Sequence, residues 1–147
     1  MAPGSAFTAF EWIGSHPWLY PGLSVVHVVG VALLLGNLVL IELRIWGLGA
    51  ALPVQPLARI ALTLSLAGFG LAAGSGFLMF ASQADDLIAN RIFVVKIGLV
   101  ATAGLNAAAF HVRGGLVRRD ALARGQTLLS LGLWLAVIIC GRWIAYF

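Results

Sequence analysis

Four long apolar runs, broken by short polar or proline-marked stretches, organise this chain: residues 22–43, 57–80, 92–112 and 127–147. Each is close to the roughly 20 residues a helix needs to cross the hydrocarbon core of a bilayer. None shows the two-residue alternation of a lipid-facing β-strand. In lipid the backbone must satisfy its own hydrogen bonds, which leaves the helix as the natural conformation. The pattern therefore predicts four transmembrane helices. Between them, Ala51-Leu52-Pro53-Val54-Gln55-Pro56 reads as a turn, Gln83-Ala84-Asp85-Asp86 as a short acidic loop, and residues 113–124 as a basic loop. Ahead of the first run, residues 6–14 set Phe7, Phe10 and Trp12 among small residues. That predicts a short interfacial helix, followed by an aromatic anchor over His16-Pro17-Trp18-Leu19-Tyr20-Pro21.

Composition narrows the class. With 61% hydrophobic and 10% charged residues, the chain is neither disordered nor an ordinary soluble domain. Its 147 residues make a single integral membrane domain. The net charge of +4 does not indicate nucleic acid, because the positive residues are dispersed between apolar runs. Cys140 is the single cysteine, so neither an internal disulfide nor a CxxC site exists. Residues 1–14 lack the positive start of a secretory signal. Arg44, Arg59, Arg113, Arg118, Arg119 and Arg124 gather around the first and third connections, whereas the opposite side has Arg91 in a loop. The positive-inside rule then places both termini outside, periplasmic or extracellular.

The runs also repeat. At one fixed offset His27 meets Lys96, Asn37 meets Asn106, Glu42 meets His111 and Arg44 meets Arg113; at a second, Ala58-Arg59 meets Ala123-Arg124, Leu64-Ser65-Leu66 meets Leu129-Ser130-Leu131 and Gly76 meets Gly141. Two tandem helix hairpins, related by an axis along the membrane normal, account for these matches. The expected fold is an all-α four-helix membrane bundle.

Ionisable groups inside a span are expensive, and each is a functional candidate. His27, Lys96 and Arg142 lie at one depth on the outer side, and Lys96 is the single lysine. Lys96 and Arg142 can snorkel to the surface, and His27 can be a neutral histidine bonded to a neighbouring helix. Alternatively the three converge on a cofactor, with neutral His27 as a metal ligand, Lys96 as a second ligand or neighbouring charge, and Arg142 pairing with a carboxylate. Glu42, Arg44, His111 and Arg113 form an inner layer. There Glu42 neutralises an arginine and bonds His111, or the layer is a second ligand or proton-handling site. His27 and His111 cannot clamp one haem, being about 22 Å apart in depth at 1.5 Å per residue. Asn37 and Asn106 suit interhelical hydrogen bonds, and Gly68, Gly70, Gly74 and Gly76 suit close helix packing or the wall of a flat cofactor. HExxH, CxxC, GxSxG and phosphate-loop motifs do not occur, and Met1 and Met79 alone give no methionine-lined copper path.

The segments HVVGVALLLGNLVLIELRIWGLG, NRIFVVKIGLVATAGLNAAAFH and SLGLWLAVIICGRWIAYF resemble a group of small bacterial four-helix inner-membrane proteins. More distantly, the chain is similar to the copper-resistance D membrane domain and to the haem-binding membrane protoporphyrinogen oxidases. In that last family a histidine early in one helix and a lysine early in a later helix are functional, and b-type haem is bound. The resemblance places those roles on His27 and Lys96; His111, from the inner layer, is a weaker metal candidate. The expected function is a b-type haem protein with a redox or electron-transfer role, exchanging electrons with a quinol or a periplasmic partner. Rival readings are a porphyrin oxidase, a structural or accessory subunit of a larger membrane complex, and a homo-oligomer carrying an ion or small-molecule path.

Overall fold

The computed structural model describes residues 7–147. All regular structure among them is helical. A 3-10 turn, Thr8–Phe10, leads into α1 (Glu11–Ser15), α2 (Leu19–Ile45), α3 (Val54–Ser82), α4 (Ala84–Ala89), α5 (Arg91–Val112), α6 (Gly115–Arg118) and α7 (Ala121–Trp143). The four long helices have 27, 29, 22 and 23 residues, and each is long and apolar enough to cross a membrane. The chain is a multi-pass helical protein of membrane type.

The helices start earlier than the apolar runs because their caps lie outside those runs. His16 Nδ1 accepts the backbone N–H groups of Trp18 and Leu19 at 3.3 and 3.2 Å. Pro21 then falls in the first turn of α2, where a missing N–H is harmless. Leu19-Tyr20-Pro21, expected as part of an anchor, therefore belongs to the helix. Asp120 accepts from Ala123 N at 2.8 Å and starts α7 well before residue 127; α7 ends at Trp143. The expected acidic loop is mostly α4, with Asp85 and Asp86 in its first turn, where carboxylates favour the helix dipole. The expected basic loop contains α6. Of the expected N-terminal helix, Ala6 lies outside the described residues. The remainder forms the 3-10 turn and α1, packed on the end of α3 through Phe7 edge-on to Phe77 and Phe80.

α2 and α3 form one antiparallel pair and α5 and α7 a second, joined along α2 and α7. Two ends follow. The terminal end holds α1, α4 and the stacked rings of Phe80 and Phe93. The loop end holds the α2–α3 turn and α6. The buried core lies towards the loop end, in Ile41, Ile45, Ala61, Phe110 and Ala123. Trp46 Nε1 donates to Thr127 Oγ1 at 2.9 Å there, tying the two pairs together. Elsewhere the long helices are sheathed in exposed leucine, valine and isoleucine, as a lipid-facing surface requires.

Candidate functional site

His27 sits on the face of α2 that meets α3. Its Nδ1 lies 2.8 Å from the Ala72 carbonyl oxygen. A carbonyl only accepts, so Nδ1 carries the proton and Nε2 presents a lone pair. Ser75 Oγ, 3.3 Å from the same nitrogen, donates its own hydrogen to Leu71 O at 2.6 Å and leaves the tautomer unchanged. The imidazole edge lies over Gly76, where a β-carbon would come within 3.0 Å of Cε1. The ring is thus positioned by a backbone carbonyl and by the absence of a side chain.

The second pair has a parallel arrangement. Lys96 on α5 lies against Gly141 of α7, with Nζ 3.6 Å from the position of a β-carbon there. The lysine is half-buried. Arg142 is exposed, donates to Tyr146 Oη at 2.7 Å and lies over that ring at 5.1 Å.

The inner layer differs from both bonding patterns expected of it. Glu42 is buried but is paired with no arginine, because the one ion pair among the described residues is Arg113–Asp120 at 3.1 Å. Arg44 turns to the carbonyls of Leu52 and Ala50, at 2.8 and 3.2 Å. His111 is exposed, with its ring edge-on to Phe110. Glu42 and His111 both line a cavity of about 50 Å³, together with Asn106, Gln126, Thr127 and Ser130. Asn106 bonds Gln126 O of α7 at 2.9 Å, as an interhelical role predicts, whereas Asn37 bonds Leu33 O of its own helix at 2.8 Å. Asp120, outside the spans, has its carboxyl held below the ordinary carboxylate range, first by the Ala123 N–H and then by the charge of Arg113.

The bond to the Ala72 carbonyl leaves His27 Nε2 as the ring atom open to a ligand. A ligating histidine characteristically gives its other N–H to a carbonyl or carboxylate, which fixes the tautomer and raises basicity. Among the described residues no three of His, Cys, Asp and Glu come together to hold a metal ion. A metal at His27 would thus depend on that single imidazole and non-acidic neighbours. The polar contacts that the sequence did not reveal are those made by Ala72, Ser75 and Ser130. A carbonyl carries no side-chain signal, and small serines on α3 and α7 read as packing.

No family model matches this chain, and no curated protein or solved structure matches it either.

Proposed function

We propose that the chain is a b-type haem protein of the bacterial inner membrane with a redox or electron-transfer role, in which His27 would hold the iron through Nε2. The observation that supports this most directly is the bond between His27 Nδ1 and the Ala72 carbonyl at 2.8 Å. It orients the ring and leaves one nitrogen free to bind iron. Lys96 is the second ligand or the neighbouring positive charge. Arg142 spends one of its five donors on Tyr146, and the others remain for a propionate. When bound, haem supplies a one-electron iron couple tuned by its ligands, burial and hydrogen bonds.

The repeat reading supports the same site. His27 against Gly76 and Lys96 against Gly141 are matched positions of the two helix pairs. Each pair places one basic side chain on one bare patch of helix. Both termini lie on the periplasmic side in this proposal, so the site exchanges electrons with a quinol or a periplasmic partner.

The test is the visible spectrum of purified protein, oxidised and dithionite-reduced, after expression with haem supplied. A Soret band with reduced α and β bands and about one iron per chain is the expected result. His27→Ala should lose the haem while the protein stays folded. Stoichiometric haem in that variant would sink the ligand assignment. A colourless wild type would leave an accessory or ion-path role.

A further inference from the structure

Glu42 is the polar group for which the fold offers no evident counter-charge. It lies on α2 with 9% of its surface exposed, inside a span. Removing a carboxylate from water is costly unless a positive charge or several hydrogen bonds accompany it. Its neighbour in sequence, Arg44, is held by backbone carbonyls of the α2–α3 turn. Arg113 is satisfied by Asp120 at 3.1 Å and by Gln126 Oε1 at 3.0 Å.

The hydrogen bonds around the cavity decide what kind of guest it suits. Several donors around it are already spent. Asn106 Nδ2 donates to Gln126 O at 2.9 Å, Thr127 Oγ1 donates to Arg124 O at 2.8 Å, and Trp46 Nε1 donates to Thr127 at 2.9 Å. With its nitrogen so used, Asn106 keeps its carbonyl oxygen as an unspent acceptor. Ser130 is the polar neighbour of Glu42 from α7. Three side chains from three helices offer oxygen acceptors to this one small space: Glu42, Asn106 Oδ1 and Ser130 Oγ. Hard cations take such oxygen sets. A single carboxylate balances a single positive charge. The cavity, at about 50 Å³, has room for a small ion and little else. An organic cation does not fit.

We propose that Glu42, Asn106 and Ser130 form a binding site for a small monovalent alkali cation at the loop end of the bundle. The site is independent of any haem at His27. It links α2, α5 and α7, so an ion bound there draws the two helix pairs together. His111 lines the same cavity.

The test is thermal unfolding of the purified full-length protein in NaCl, LiCl, KCl and choline chloride, at equal ionic strength and at matched pH. An ion bound to the folded state raises the midpoint progressively with concentration. The expected result is a midpoint that climbs with each tenfold rise in Na⁺ or Li⁺ and stays flat in choline. Glu42→Gln should lose that dependence, and Ser130→Ala should weaken it. Equal midpoints in all four salts, a dependence on pH alone, or a full Na⁺ response in Glu42→Gln overturns the proposal. If Glu42→Gln does not fold, ²³Na NMR of the wild type decides. Line broadening relieved by Li⁺ supports the site, and its absence, or broadening unaffected by Ser130→Ala, overturns it.

Discussion

A β-carbon built on Gly30 would lie 2.6 Å from Ala72 N, and one on Gly68 would lie 2.6 Å from the Gly30 carbonyl oxygen. The obstacles are backbone atoms of the facing helix, which cannot rotate away as a side chain can. Gly70 and Gly74, on the same α3, have nothing within 4 Å of the equivalent position. Substitution should therefore divide these glycines sharply. Gly30→Ala and Gly68→Ala should each lower stability by about 1–3 kcal/mol, because the crossing must open. Gly70→Ala and Gly74→Ala should be neutral or gain about 0.5–1 kcal/mol, as alanine does over glycine inside a helix. Unfolding midpoints in detergent would measure all four. Equal losses at all four positions would show that the α2–α3 crossing is not where the close packing lies. The crossing matters to the site because His27 projects from the same face of α2 as Gly30 and meets Ala72 and Gly76 beyond it.

The beginnings and ends of helices are set by single polar groups, and these make separate predictions. Asp120 caps α7 through Ala123 N and pairs with Arg113. Its carboxyl is held below the ordinary value of 3.8, the largest cause being the Ala123 N–H. A lowered carboxylate stabilises the fold above its unfolded value and loses that contribution as pH falls through the lower folded one. Acid should thus loosen the start of α7, and Asp120→Ala should remove this part of the acid sensitivity; a profile parallel to wild type would refute the cap. At the junction of the pairs, Trp46→Phe removes the bond to Thr127 and should cost about 1 kcal/mol. A double-mutant cycle with Thr127→Val would isolate it, and additive losses would show no coupling. The existence of all four long helices was legible in hydropathy. Their starts were not, because His16 and Asp120 act from outside the apolar runs. Helix faces were also illegible: spans apolar on every side carry no periodic contrast, so Gly68 and Gly70 look alike in sequence. In the candidate site, His27 and Lys96 stood out as ionisable groups in spans. The Ala72 carbonyl that holds the imidazole is backbone and leaves no trace. The Arg142–Tyr146 contact is a one-turn neighbour pair that the spacing alone allowed.

At the scale of the whole molecule, charge and packing are both lopsided. Arg44, Arg59, Arg113, Arg118, Arg119 and Arg124 crowd the loop end, where the core residues Ile41, Ile45 and Phe110 also lie. His27, Lys96 and Arg142 occupy the terminal half. Short connections rich in arginine stay on the cytoplasmic side during insertion. The proposed orientation follows, and with it the side of the membrane on which the proposed haem site lies. The orientation has its own test. In a Cys140→Ser background, a cysteine at exposed Gln83 marks the terminal end, and one at Val117, 70% exposed, marks the loop end. A membrane-impermeant maleimide should label Gln83→Cys in spheroplasts and Val117→Cys only after permeabilisation. The reverse pattern would put the arginines outside, against the charge rule. It would also turn His27 towards the cytoplasmic leaflet, where a periplasmic donor cannot reach it. A quinol can approach from within the bilayer on either side, so that result would leave the lipid-soluble carrier as the remaining redox partner.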